Sequence, residues 1–126
     1  MRMVDTDVLV DYLRGHHPAR NWFHSLAELP AVPGFVVMEL IAGCSDEREA
    51  REIDQLVAPM EVIWPSRADC RRALSAFRRC HLSHGLGLLN ALVAACAIGR
   101  GAPLYTFNAK HFVAMPELLV EAPYER

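Results

Sequence analysis

Asp5 and Asp7, directly after the apolar opening MRMV, head a set of oxygen-bearing side chains that stand on apolar backgrounds. The others are Glu39 in FVVMELIAG, Asn90 in GLLNALVAA and Asn108 in YTFNAKHF. Carboxylates at the carboxyl end of a first strand occupy the rim where open α/β sheets bind ligands. An oxygen-only set suits Mg²⁺, which takes one or two carboxylates and keeps several waters; Asp5 and Glu39 could suffice. An ion held there polarises a phosphate oxygen and lowers the pKa of a water, so phosphodiester hydrolysis is the natural chemistry. No Cys or His pair has the spacing of a zinc site. Glu39 lies among Val36, Val37, Leu40 and Ile41, where an unpaired carboxylate is expensive to bury and a cation would remove the penalty. Its neighbours argue against the alternative of a merely solvent-facing residue.

The elements that must position these residues follow from periodicity and breakers. Arg2 to Val4 reads as a strand, and Thr6 or Asp7 can cap a helix through Val8, Leu9, Tyr12 and Leu13 that Gly15 ends. His16-His17-Pro18 reads as a turn, Ala19 to Leu29 as a helix stopped by Pro30 with Trp22, Phe23 and Leu26 inward, and Pro30 to Pro33 as a strand. Phe35 to Cys44 and Asp46 to Leu56 are helices, and Glu61 to Trp64 is a strand with Trp64 in the core. Arg67 to His81 is a helix with Ala68, Leu74 and Phe77 on one side; Arg71, Arg72, Arg78 and Arg79 form a solvated face. His81 and His84 lack a third ligand and, before Gly85, belong to a turn. Leu88 to Gly99 is a nearly all-apolar helix that should lie buried. Pro103 to Thr106 is a strand, Asn108 to Phe112 a turn or short helix, and Leu118 to Val120 a last edge strand. Strands alternating with helices specify an α/β domain over residues 1–126, with a central, mostly parallel sheet flanked by helices.

Thirteen basic against fifteen acidic residues, a net charge of −2, exclude bulk attraction to nucleic acid, so a polyanion must be held by a local patch. Arg14 and Lys110, with His111, stand nearest the acidic strand ends in sequence and are candidates to steer a phosphate or a partner's carboxylate. The four cysteines lack CxxC spacing and read as reduced thiols of a cytoplasmic protein. Neither a signal peptide nor a run of about eighteen apolar residues is present, so no membrane association is expected.

MVDTDVLVDYLRG, MELIAG, HGLGLLNALVAACAIGRGAPLYTFNAKHF and the closing PY, in this order and across essentially the whole chain, resemble the PIN-domain family, in particular the VapC-type toxins of toxin–antitoxin pairs. The resemblance implies a single α/β/α domain and a Mg²⁺- or Mn²⁺-dependent ribonuclease, a homodimer blocked by a cognate antitoxin. The family's acids map onto Asp5 and Glu39, its third acid onto Asn90, and its fourth position, aspartate or asparagine, onto Asn108. The metal set would be Asp5, Glu39 and Asn90. Thr6, beside Asp7, stands where the family commonly orients the first acid.

Asn90 departs from that pattern. Two unit charges roughly 4 Å apart interact by about 4 kcal/mol at an effective dielectric near 20, so an amide in place of a carboxylate weakens the hold on a divalent ion and accepts no proton at neutral pH. The leading expectation is a metal-dependent ribonuclease toxin whose activity Asn90 could attenuate or abolish; the alternative is a PIN-like module that binds RNA or antitoxin without turnover. Asp5, Asp7, Asn90 and Asn108 also have a simpler reading as residues of helix amino termini. A small-molecule phosphatase is a third reading, disfavoured because no phosphate-cradling glycine loop follows the first strand.

Overall fold

Asp5 ends the first strand and starts the first helix. Its backbone is extended, and its Oδ1 accepts a hydrogen bond from Thr6 N at 2.8 Å, so β1 (Met3–Val4) hands over directly to α1 (Thr6–Leu13). The computed structural model describes residues Met1–Arg126. In chain order the remaining elements are α2 (His17–Ser25), β2 (Val32–Pro33), α3 (Gly34–Ala42), α4 (Glu47–Val57), β3 (Val62–Ile63), α5 (Arg67–His84), α6 (Leu88–Arg100), β4 (Leu104–Tyr105), a 3-10 turn (Ala109–Phe112) and β5 (Val120–Glu121). The expected α/β alternation is present throughout.

Every strand pair is parallel. β1, β4 and β5 form one ladder and β2 and β3 another. The two ladders meet at a Met3–Ala31 bridge, where Ala31 N donates to Arg2 O at 2.7 Å and Val4 N donates to Ala31 O at 3.2 Å. β1 is therefore central, and both its residues are fully buried. One apolar core holds Val8, Leu9, Val32, Val36, Ile63 and Leu104 together with the alanine-rich face of α6.

Several boundaries and faces differ from the expected ones. Pro18 falls in the first turn of α2, where its missing N–H costs nothing, so the helix begins at His17 instead of Ala19. It ends at Ser25, whose hydroxyl bonds Trp22 O, well before Pro30. Phe23 is in the core, whereas Trp22 and Leu26 are half-buried. The last strand is Val120–Glu121 rather than Leu118–Val120.

α5 continues to His84, so His81 and His84 occupy its last turn rather than a separate turn, and Gly85 closes it at φ +66°. Its buried face is Asp69, Ala73, Ala76 and Cys80. Of the expected apolar side, Ala68 is exposed, Leu74 is 68% exposed and Phe77 is half-buried against the core, so this side is only partly covered. Small residues win because α5 lies close against α6, and at Gly99 of α6 a Cβ would meet Asp69 Oδ1 at 2.1 Å. Trp64 is 54% exposed rather than core, because its indole lies flat over Gly34, where a Cβ would come within 2.4 Å of the ring.

Candidate active site

The carboxyl ends of β1 and β4 lie side by side, in register Val4 with Tyr105, so the residues that follow them share one rim. Asp5 and Thr106 are the next residues, and both are buried, at 7% and 2% exposure. Thr106 Oγ1 donates to Asp5 Oδ2 at 2.8 Å, so both oxygens of Asp5 are oriented, one by a backbone amide and one by a hydroxyl. Burial, with the nearby charges of Asp7 and Glu39, nevertheless pushes the Asp5 carboxyl above its ordinary value, despite the opposing pull of its two donors. A buried anion facing other anions is a site that a cation would stabilise.

Asp7 is the hub between α1 and the β4 loop. Its Oδ2 accepts from Phe107 N at 2.8 Å and from Asn108 Nδ2 at 3.2 Å, and its Oδ1 accepts from Val8 N at 2.9 Å. Asn108 N in turn donates to Thr106 Oγ1 at 3.1 Å. Asn108 precedes the 3-10 turn without a side-chain capping bond, and its Nδ2 donates to Asp7.

Glu39 projects from α3 and is exposed, so the desolvation argued for it from its neighbours falls on Asp5 instead. It still faces the rim, and Thr6 Oγ1 donates to its Oε1. Asn90 is half-buried in the first turn of α6, whose N-cap is Gly87, and its side chain makes no hydrogen bond within the protein. Asp5, Thr6, Asp7, Glu39, Asn90 and Asn108 thus converge on one cavity of about 350 Å³, with His111 and Arg126 on its wall. Arg14 is exposed in an adjoining groove of about 550 Å³ that shares Thr6 and Glu39. Lys110 is exposed on the 3-10 turn and does not line the cavity; its neighbour His111 does.

Two residues of the site, Thr106 beneath Asp5 and Arg126 on the cavity wall, were not among those expected from the sequence. Thr106 had a signal, a hydroxyl closing the apolar strand PLYT. Arg126 had none, since its place depends on a contact with Asp11, 115 residues away.

The donor set fits a hard divalent cation: it is all oxygen, with the buried Asp5 carboxyl at its base and a second carboxylate that keeps Oε2 without a protein partner. No three His, Cys, Asp or Glu side chains close into a complete cage. An ion held by Asp5 and Glu39 would draw the rest of its coordination from amide oxygens and water, as Mg²⁺ sites usually do.

The model of the PIN domain family matches residues 2–118. The chain belongs to the PIN domain family. Among the relatives of this PIN domain, Ribonuclease VapC10 of Mycobacterium tuberculosis is 36% identical over 121 residues, covering 94% of this chain and 90% of that protein. Ribonuclease VapC19 of the same organism is 32% identical over 130 residues, covering 98% and 100%. A DNA-bound VapBC from Salmonella typhimurium superposes with a TM-score of 0.82 over 98% of this chain and 99% of that one, at 20% identity, a likeness of fold.

Proposed function

We propose that this PIN domain, a single unit over residues 1–126, is a VapC-like ribonuclease toxin that hydrolyses RNA phosphodiester bonds and is neutralised by a cognate antitoxin. The observation that carries the reading is the convergence of buried Asp5 and solvent-facing Glu39 on one cavity at the β1 end. The two ribonuclease relatives, alike over nearly the whole chain, support it.

Asp5, Glu39 and Asn90 would hold Mg²⁺ or Mn²⁺, and Asn108 completes the site. The ion supplies charge neutralisation at the phosphate and a more acidic attacking water. The chain's own groups do the rest. Thr106 and the Thr6 amide fix Asp5, and the Thr6 hydroxyl holds Glu39 toward it. Asp7 ties Asn108 and the β4 loop to α1, so the two strand ends keep their spacing. Arg14, and Lys110 beyond the cavity, attract the RNA backbone. Cleavage of a labelled RNA with Mg²⁺ or Mn²⁺, abolished by EDTA and by Asp5→Asn and Glu39→Gln, is the test; cleavage that survives both substitutions refutes the assignment.

Asn90 favours a second reading, a domain that binds RNA or antitoxin with little or no turnover. Metal-stimulated cleavage gained by Asn90→Asp supports the nuclease; RNA binding without cleavage in that variant supports the module.

Two surfaces support the partner readings. A cleft of about 520 Å³ between α1, α2 and α4, with Tyr12, Leu56 and Met60 beside Arg20, Glu52 and Gln55 on its walls, offers an antitoxin helix a mixed apolar and charged seat. The α5–α6 seam, where Leu74, Leu82 and Leu88 are 68%, 89% and 61% exposed, supports pairing into a homodimer, tested by Leu82→Glu and sedimentation. No helix is long and apolar enough to cross a membrane. Four free thiols agree with action in the reducing cytoplasm.

A further inference from the structure

The cavity has two walls of opposite sign. Asp5, Asp7 and Glu39 line one part, and Arg126 is the one Arg or Lys that lines it at all. Arg126 is fixed rather than loose. Its NH2 donates to Asp11 Oδ1 at 3.2 Å, and its guanidinium carbon stands 4.8 Å from the centroid of the Phe107 ring. Asp11 is itself pinned from the other side, because Tyr124 OH donates to its Oδ2 at 2.8 Å and the Tyr124 ring packs on Phe107 at 4.9 Å.

A buried carboxylate needs a partner, and compensation of Asp11, 8% exposed, accounts for one of the five N–H donors that a guanidinium carries. The remaining donors make no hydrogen bond within the protein, and the side chain is 48% exposed. A planar fork of free donors, held in one orientation opposite an acidic metal-holding wall, matches a phosphate oxygen lying between the two walls. The same stacking and ion pair remove the rotamer freedom that a lone surface arginine would lose on binding.

We propose that Arg126 is a substrate-phosphate ligand of the nuclease site, presented by the Asp11–Tyr124–Phe107 clasp so that its free guanidinium edge receives a non-bridging oxygen of single-stranded RNA. The inference rests on the ribonuclease reading of the same cavity. It adds to that reading a specific phosphate contact from the segment after β5.

The test uses the full chain and a short fluorescein-labelled single-stranded RNA, with binding followed by anisotropy from low to moderate salt in EDTA. Arg126→Gln is expected to weaken binding about ten- to hundredfold and to reduce the slope of log K against log[salt] by about 0.7, the change for one lost phosphate contact on a single strand. Arg126→Lys keeps the charge without the fork, so it should retain the salt slope while losing part of the affinity. Tyr124→Phe loosens the clasp but leaves the guanidinium; a loss through general destabilisation alone would appear equally in Tyr124→Phe and would leave the salt slope unchanged, overturning the proposal. Wild-type affinity and slope in Arg126→Gln would also overturn it. Mn²⁺ binding by the same variants separates the two ideas. Arg126→Gln should bind the ion as the wild type does, whereas Mn²⁺ binding indifferent to Asp5→Asn defeats the site assignment whatever Arg126 does. An RNA that the wild type fails to bind defeats both.

Discussion

Replacing Thr106 by valine removes one hydroxyl of matching size and disturbs two hydrogen bonds at the base of the site. Thr106 Oγ1 donates to the buried Asp5 Oδ2 at 2.8 Å and accepts from Asn108 N at 3.1 Å. A hydrogen bond to a charged group contributes about 1.5–3 kcal/mol and a neutral one about 1 kcal/mol, so the variant should lose roughly 2–4 kcal/mol. With an unfolding entropy of about 2.1 cal/mol/K per residue, 126 residues give about 0.26 kcal/mol/K, and the melting temperature should fall by about 8–15 °C near pH 7 in EDTA. The pH dependence carries the finer test. The folded pKa of Asp5 is already raised, and losing a donor to its ionised form raises it further. The deficit of Thr106→Val is therefore full above both folded pKa values, where Asp5 is charged. It shrinks as pH falls through them and the carboxyl becomes neutral. Thermal melts of both proteins across this range read the effect directly. A deficit that stays constant with pH, or a melting temperature within about 2 °C of the wild type at pH 7, would refute the claim that Thr106 supports a charged Asp5.

Other outcomes follow from the same geometry. Asn90→Asp adds a carboxylate to the cavity, so Mn²⁺ affinity and metal-stimulated RNA cleavage should both rise by at least tenfold; unchanged values in titration and gel assay would remove residue 90 from the site. Gly99→Ala drives a Cβ to within 2.1 Å of Asp69 Oδ1, whose carboxylate is held by Arg72 at that oxygen and by Ser66 N at Oδ2, and should cost about 1–3 kcal/mol by thermal melt. Burial pushes the Asp11 carboxyl up, but its bonds to Arg126 and Tyr124 outweigh that and leave it below its ordinary 3.8. That stability is present above the ordinary value and lost as pH falls through the lower folded one. Asp11→Asn should therefore melt lower than the wild type at neutral pH, with the gap closing on acidification below about pH 4.

The residues of the site were legible where a local signal marks them. Asp5 follows an apolar strand and precedes an amphipathic helix, so its position at a strand end could be read directly, and Glu39 and Asn90 interrupt apolar helices. What local pattern did not carry is how neighbours choose between equivalent faces. α5 offers Leu74 and Phe77 on one side and Ala73, Ala76 and Cys80 on another, and only the small residues let it approach the alanines and Gly99 of α6. Glu39 had apolar neighbours on both sides in sequence, yet a helix turns every residue by about 100°, and its turn faces solvent. Thr106 acquires its role from the β1–β4 register, and Arg126 from Asp11, so both depend on contacts between residues about a hundred positions apart.

The central claim is that Asp5 and Glu39 hold one divalent cation between them. Isothermal titration of Mn²⁺ into the wild type, Asp5→Asn and Glu39→Gln, each checked for its fold by circular dichroism, addresses it most directly. The expected result is one site in the wild type, weakened at least tenfold by either substitution, with the double variant little worse than the singles. Wild-type affinity and stoichiometry in both single variants would contradict the account.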